Sequence, residues 1–150
     1  MSIFKGCATA LVTPFSDSGV DYDSLGRLID FQIENDVGAL VILGTTGEAA
    51  TMSEEEKIDV VKFSVKVVDG RVPVIVGSGS NDTKSAVRLC KLFSSLGADA
   101  LLVVTPFYNK CTQGGLVAHY SEIADSVDKP IIVYNVPSRT GVNVLPETFQ

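Results

Sequence analysis

The sequence has few of the residues that bind metals or form disulfides. It contains one histidine, His119, and three cysteines, Cys7, Cys90 and Cys111, which are far apart and form no Cys-x-x-Cys pair. A single histidine at no recognisable spacing from these cysteines does not form a zinc site, so we expect a structural role for His119. An odd number of dispersed cysteines predicts reduced thiols in a cytosolic protein rather than a disulfide framework.

Basic clusters and long apolar runs are also absent. The net charge is -6 and no group of lysines and arginines forms a stripe, so nucleic acid is not an expected partner. The longest apolar runs are roughly five to eight residues, against the roughly 20 that span a bilayer, so we expect no membrane segment. Residues 2–6 lack the basic leader of a signal peptide. With 45% hydrophobic and 20% charged residues in a chain of 150, we expect one globular domain with a substantial core.

Short apolar runs alternate with segments of helical periodicity. The repeating unit is a strand followed by a helix, about 30 residues long, which is the length of a parallel strand with its crossover helix. A capping box, Ser53 with Glu56, predicts the start of the second helix, and Asn81 or Asp82 is expected to cap the third. The predicted strands are residues 8–12, 39–43, 74–76, 100–104 and 131–134.

This pattern fits two architectures, a doubly wound open sheet or part of a (β/α) barrel. Pro146 is suited to the first position of a fifth helix, which then has only about one turn before Gln150. We therefore predict that residues 1–150 are the N-terminal portion of a single (β/α)8 barrel domain, truncated in helix 5. About five of eight strands are present, since a complete barrel takes about 250 residues.

Polar side chains follow three of the predicted strands. Thr45 and Thr46 follow the second strand, Tyr108 the fourth, and Tyr134 ends the fifth, with Arg139 a few residues later. Each loop alone has a structural interpretation, such as threonine hydroxyls bonded to the local backbone or a packed tyrosine. The C-terminal ends of barrel strands converge on one mouth, so we expect these loops to face a common pocket.

A glycine-rich turn at residues 77–82 invites a different hypothesis, a phosphate cradle. Its third glycine position is occupied by Asp82, so it fails the dinucleotide fingerprint. A simple strand-to-helix turn is the favoured interpretation.

Four segments carry a family resemblance. These are ALVTPF (residues 10–15), GTTGE (44–48), TPFYNK (105–110) and YNVPSRTG (134–141), in the family's order and spacing. The chain resembles the dihydrodipicolinate synthase and N-acetylneuraminate lyase superfamily of class I aldolase barrels over essentially all 150 residues. Arg139 favours the synthase branch, in which an arginine binds the carboxylate of aspartate semialdehyde.

The resemblance implies a role for each candidate residue. Thr45, Tyr108 and Tyr134 match the family's hydroxyl proton relay, Thr46 the residue that holds the pyruvate carboxylate, and Arg139 the arginine that binds the second substrate. The residue matching Tyr108 acts across a dimer interface in the family, which implies a homo-oligomer, a tetramer or dimer of dimers. The substrates implied are pyruvate and aspartate semialdehyde, in lysine and diaminopimelate biosynthesis, with neither a cofactor nor a metal.

The chain departs from the family at two points. The family's Schiff-base lysine follows the sixth strand, beyond residue 150, and Lys110 is the only lysine expected on a catalytic-face loop, where we interpret it as a solvated charge. We therefore expect residues 1–150 alone to be inactive. Ser85 and Phe107 stand where lysine-inhibited members have an acidic residue and a tyrosine, so weak or absent lysine inhibition is expected of the parent. Alternatives are a self-assembling partial barrel without catalysis and another pyruvate-dependent aldolase of the superfamily.

Overall fold

The structure, a computed structural model, describes residues 3–149 as alternating strands and helices. Three one-turn 3-10 helices, Thr45–Gly47, Ala49–Thr51 and Pro146–Phe149, complete the connections. In chain order the other elements are β1 (Ala8–Ala10), β2 (Phe15–Ser16), β3 (Gly19–Val20), α1 (Tyr22–Glu34), β4 (Ala39–Ile42), α2 (Glu54–Val68), β5 (Val74–Gly77), α3 (Thr83–Ser95), β6 (Ala100–Val104), α4 (Gln113–Ala124), β7 (Ile131–Tyr134) and α5 (Pro137–Thr140).

The main sheet settles the choice between the two architectures. Its strand order is β1-β4-β5-β6-β7 and every neighbouring pair is parallel, for example with Leu40 opposite Val74. Each crossover therefore advances to the adjacent strand in the same direction, whereas a doubly wound sheet reverses direction at a switch point. The five strands and their helices form part of a (β/α)8 barrel, as the sequence predicted.

Local capping interactions fix where the helices begin. The predicted capping box is present at α2, where Ser53 and Glu56 each accept the other's backbone N–H. Asp82, and not Asn81, caps α3, and Asp21 and Thr112 cap α1 and α4 in the same way. Each cap satisfies an N–H group that has no partner within its own helix.

The two faces of the sheet pack against different surroundings. Side chains such as Leu40, Val76 and Leu101 point to the helices and form the main core with fully buried residues such as Phe93. The other face forms a smaller cluster around Ala39, Ile75 and Ala100, the side that faces a barrel's interior. The buried face of α2 consists of Val60, Val61, Ser64 and Val68.

Two short elements differ from the sequence-based expectations. The residues after β7 form the one-turn helix α5, which the sequence did not predict. Pro146 begins a 3-10 turn within the described residues, and the predicted end of this helix at Gln150 lies outside them. Between residues 3 and 149, no helix combines the length and the apolar character needed to span a membrane.

Candidate active site

A cavity of about 710 Å³ opens at the C-terminal edge of the sheet. Thr45 lines it after β4, Tyr134 at the end of β7, and Arg139 in α5, so the structure brings these three predicted residues to one site. Ser80, after β5, and Phe107, after β6, complete the ring of loops that surrounds it. The position agrees with the rule that the ends of parallel strands form the ligand sites of barrels.

A short turn between β4 and α2 presents the threonine pair. Thr45–Gly47 is one 3-10 turn, fastened to the β1 side of the sheet because the buried Thr13 hydroxyl donates to the Gly47 carbonyl at 2.7 Å. Thr45 reaches the cavity, whereas Thr46 is exposed beside it and is not among the lining residues. Thr45 therefore lines the pocket as predicted, and Thr46 does not.

Backbone strain is concentrated around the same loops. Leu43 and Glu48, which line the cavity, have φ values of 57° and 56°, and Tyr108 and Lys110 have values of 74° and 52°. A left-handed conformation is unfavourable for residues other than glycine and costs about 1–3 kcal/mol each, a cost that tends to be retained where function requires it. Four of the six non-glycine residues with positive φ in residues 3–149 thus lie in the loops that carry the candidate chemistry. The other two, Asp36 and Asp69, lie at the C-terminal ends of α1 and α2.

Tyr108 lies outside this cavity, contrary to the expectation of a shared pocket. Its side chain is 88% exposed, and the preceding residue, Phe107, lines the cavity instead. The physical reason is the local backbone: the chain bends at Tyr108, whose φ is positive, and the Thr140 carbonyl holds the Tyr108 N–H at 3.3 Å, which leaves the side chain in solvent. The ring is therefore available to surroundings outside the fold of this chain.

The loop that carries Arg139 is closed at its base by an amide side chain. Asn135 accepts the Val144 N–H at 3.1 Å and donates to the Asn143 side chain at 2.9 Å. Pro137 is the first residue of α5, and Gly141 ends it with a left-handed φ of 74°. Among residues 3–149 the Arg139 guanidinium has no hydrogen bond or ion pair, so its donors are free to bind a ligand.

The glycine-rich turn after β5 has a packing role. A Cβ atom on Gly77 would lie 2.1 Å from the Leu43 carbonyl oxygen, and one on Gly79 would lie 2.6 Å from the Val104 nitrogen. Both glycines thus let neighbouring strand ends approach closely, and Asp82 is used to cap α3. The favoured interpretation of this segment as a simple turn agrees with these contacts.

Positive charge predominates in the cavity lining. Its charged residues are Lys57, Arg139 and Glu48, two cations and one carboxylate, in a chain whose net charge is -6. The sequence pattern indicated only Lys110 on this face. It gave no sign of Lys57, which reaches the cavity from α2 rather than from a loop. Lys110 is exposed and is not among the lining residues, as a solvated charge would be.

His119 has the structural surroundings that the sequence predicted. It is 4% exposed, its Nδ1 lies 2.9 Å from the Thr83 hydroxyl, and burial lowers its pKa below the ordinary value. No group of three or more histidine, cysteine, aspartate or glutamate side chains within residues 3–149 is arranged to hold a metal ion.

Comparison with known sequences identifies a family. The sequence profile of the Dihydrodipicolinate synthetase family matches residues 3–150. A 4-hydroxy-tetrahydrodipicolinate synthase of Thermoanaerobacter sp. (strain X514) is 56% identical over 149 residues, which cover 99% of this chain and 50% of that protein. The enzyme of the same name from Caldicellulosiruptor bescii is 57% identical over 151 residues, covering 100% and 51%.

Solved structures show the same relationship in three dimensions. The crystal structure of dihydrodipicolinate synthase from Thermotoga maritima superimposes with a TM-score of 0.96 at 52% identity, covering 98% of this chain and 50% of that one. The chain therefore spans about half the length of the curated relatives it matches.

Proposed function

The chain belongs to the Dihydrodipicolinate synthetase family, and from this premise we propose that it forms part of a class I aldolase-type lyase. The proposed reaction condenses pyruvate with L-aspartate 4-semialdehyde in lysine and diaminopimelate biosynthesis. Residues 1–150 supply the N-terminal portion of the single barrel domain in this proposal. In this proposal the substrates bind at the C-terminal edge of the sheet, where the candidate side chains lie.

The lining of the cavity is the observation that supports this proposal most directly. Both proposed substrates are carboxylates, and the lining combines two cations with the hydroxyls of Thr45 and Tyr134 in an otherwise acidic chain. A guanidinium binds a carboxylate through paired hydrogen bonds, and Arg139 has its donors free for that purpose. A purely structural loop requires neither the free guanidinium nor the strained backbone at Leu43 and Glu48.

In the proposed mechanism the ketone of pyruvate condenses with the amine of a lysine outside residues 1–150, which forms a Schiff base and releases water. Loss of a proton from the pyruvate methyl group gives an enamine, whose carbon attacks the aldehyde of aspartate semialdehyde. Thr46, exposed beside the cavity, holds the pyruvate carboxylate at the cavity's rim in this proposal, and Arg139 holds the carboxylate of the second substrate. Thr45, Tyr134 and Tyr108 pass protons along a chain of hydroxyls, since each hydroxyl can accept one proton and donate another.

The exposure of Tyr108 supports a homo-oligomer in this proposal. A ring that is 88% exposed and lies outside its own cavity can complete the relay in a neighbouring subunit. The strained φ of 74° is then retained because it presents the ring outward. A tetramer, or dimer of dimers, is the proposed assembly, and the cytosol the proposed location.

Two further parts of the proposal concern activity and its control. We expect residues 1–150 alone to be inactive, because the family's Schiff-base lysine lies beyond residue 150 and Lys110 is an exposed loop residue outside the cavity. Weak or absent inhibition of the parent by lysine is also proposed, since Ser85 and Phe107 offer neither a charged partner for an ammonium group nor a phenol.

A substitution of Arg139 tests the proposed function. In the protein of the relatives' length that carries residues 1–150, Arg139→Gln should raise the KM for aspartate semialdehyde by about 10- to 100-fold, as expected for lost hydrogen bonds to a charged group. The KM for pyruvate should change little. Arg27→Gln is the matched control, because Arg27 is exposed on α1, where it donates a hydrogen bond to Ser24, and does not line the cavity. Absence of condensation activity in the unmodified protein would overturn the proposal.

The open edges of the sheet favour a second candidate, a partial barrel that assembles with itself and has no catalytic role. Within the described residues β1 and β7 each have one neighbouring strand in the main sheet. Unpaired edges of this kind invite pairing with another copy. A monomer in sedimentation experiments on the 150-residue chain would count against this candidate.

A third candidate, another pyruvate-dependent aldolase such as a sialic-acid or keto-acid lyase, is disfavoured by Arg139. Faster turnover of such a substrate than of the proposed pair would reverse this order.

A further inference from the structure

The one-turn helix α5 depends on contacts made by its last residue. A helix of four residues has almost no intrinsic stability, so the position of Arg139 within α5 must be fixed from outside the helix. Thr140 follows Arg139 directly and is 4% exposed, whereas the helix residues before it are largely exposed. It is the buried residue of this turn and also lines the cavity.

The Thr140 hydroxyl joins both ends of the turn. Its oxygen lies 3.0 Å from the Val142 carbonyl and 3.3 Å from the Val136 carbonyl, either of which can accept its proton. It also accepts the Val142 N–H at 3.3 Å. Val142 is 5% exposed and packs in a cluster with Leu116 of α4, so the hydroxyl ties α5 to a fixed part of the core.

The Thr140 carbonyl holds a second loop. It accepts the N–H of Tyr108, whose φ of 74° requires support from its surroundings. The next residue, Gly141, would place an added Cβ 3.5 Å from the Lys110 side chain, so the two loops are in close contact. One buried residue therefore fixes the backbone on which Arg139 and Tyr108 both depend.

We infer that Thr140 is a positioning residue that sets the places of Arg139 and Tyr108 together. Its hydroxyl holds the turn that presents the guanidinium, and its carbonyl holds the strained backbone that presents the phenol. The chemical consequence rests on the proposed function, in which these two side chains bind the second substrate's carboxylate and relay protons. The backbone linkage itself is independent of that function.

Amide hydrogen exchange on the 150-residue chain tests the linkage without any assumption about activity. Thr140→Val keeps the shape of the side chain and removes the hydroxyl, whereas Thr140→Ser keeps the hydroxyl and removes the methyl group. Thr105→Val is the matched control, since Thr105 is fully buried and its hydroxyl has no partner within residues 3–149. We expect Thr140→Val to speed exchange at Tyr108 by about tenfold, as for a lost hydrogen bond, with little change in Thr140→Ser and Thr105→Val.

If the amide protons of Tyr108 and Val142 exchange at unprotected rates in the unmodified chain, the linkage is overturned. This measurement does not depend on any variant being able to fold. Equal exchange at Tyr108 in Thr140→Val and Thr105→Val would also overturn it.

Kinetics in the protein of the relatives' length test the consequence. Thr140→Val should raise the KM for aspartate semialdehyde and lower kcat, leave the KM for pyruvate nearly unchanged, and be rescued by Thr140→Ser. An inactive unmodified protein would contradict the proposed function and leave the exchange result to decide the linkage. An active protein in which Thr140→Val behaves as Thr105→Val would contradict the positioning role.

Discussion

Replacing Thr13 with valine should destabilise the turn that presents Thr45. Thr13 is 5% exposed, and its hydroxyl donates to the Gly47 carbonyl at 2.7 Å, a short contact that joins the loop after β1 to the turn after β4. Valine has almost the same shape, so the change removes one hydrogen bond without opening a cavity. Leaving a buried carbonyl without its donor costs about 1–3 kcal/mol in the free energy of unfolding.

A second buried threonine provides the control for this measurement. Thr105 is fully buried, and its hydroxyl has no partner among the described residues. Thr105→Val removes an unpaired polar group, so the free energy of unfolding should stay the same or rise by about 1 kcal/mol. The two substitutions are chemically identical, and only their hydrogen bonding differs.

Urea unfolding of the 150-residue chain measures both effects. Thr13→Val should lower the urea midpoint and Thr105→Val should not, with the same dependence of the unfolding free energy on urea in both variants. In the protein of the relatives' length, Thr13→Val should raise the KM for pyruvate more than that for the second substrate. Equal midpoints for the two variants would refute the reasoning that the Thr13 hydroxyl fastens the turn.

Two further predictions concern a buried histidine and two glycines. Burial lowers the pKa of His119 in the folded state, so its contribution to stability is present above about pH 6.5 and is lost as the pH falls towards the lowered value. His119→Gln should therefore flatten the decline in urea midpoint between pH 7.5 and pH 5.5. An unchanged decline would contradict this prediction. Gly77→Ala should destabilise the chain by about 3 kcal/mol or more, because its Cβ would meet a carbonyl oxygen at 2.1 Å. Gly114→Ala, with nothing within 4 Å, should raise stability by up to about 1 kcal/mol, and similar thermal midpoints for the two alanine variants would contradict the packing argument.

The parts of the fold that depend on local sequence were predictable. Residues 100–104 are an uninterrupted apolar run, and the strand has those same bounds. The capping box of Ser53 and Glu56 depends on residues three apart, so its sequence signature was sufficient to place the start of α2. The converging strand ends followed from the repeated unit of strand and helix, which is why Thr45, Tyr134 and Arg139 were assigned to one site.

The remainder depends on contacts that the sequence pattern does not contain. The helix α5 has too few residues for any periodicity, and it is held by Asn135 and Thr140 through hydrogen bonds to residues that follow it. The outward position of Tyr108 follows from a positive φ, which is rare for tyrosine and has no sequence signal. Lys57 reaches the cavity from a helix whose lysines otherwise fit a solvated face, so only the tertiary arrangement could identify it.

Borohydride trapping with pyruvate, followed by mass spectrometry, tests the central claim most directly. The claim is that residues 1–150 supply the carboxylate-binding and relay groups, while the amine that captures pyruvate lies outside them. The 150-residue chain should show no adduct, and the protein of the relatives' length should show one adduct per subunit on a lysine beyond residue 150. A stoichiometric adduct on Lys57, Lys110 or another lysine within residues 1–150 would contradict the account.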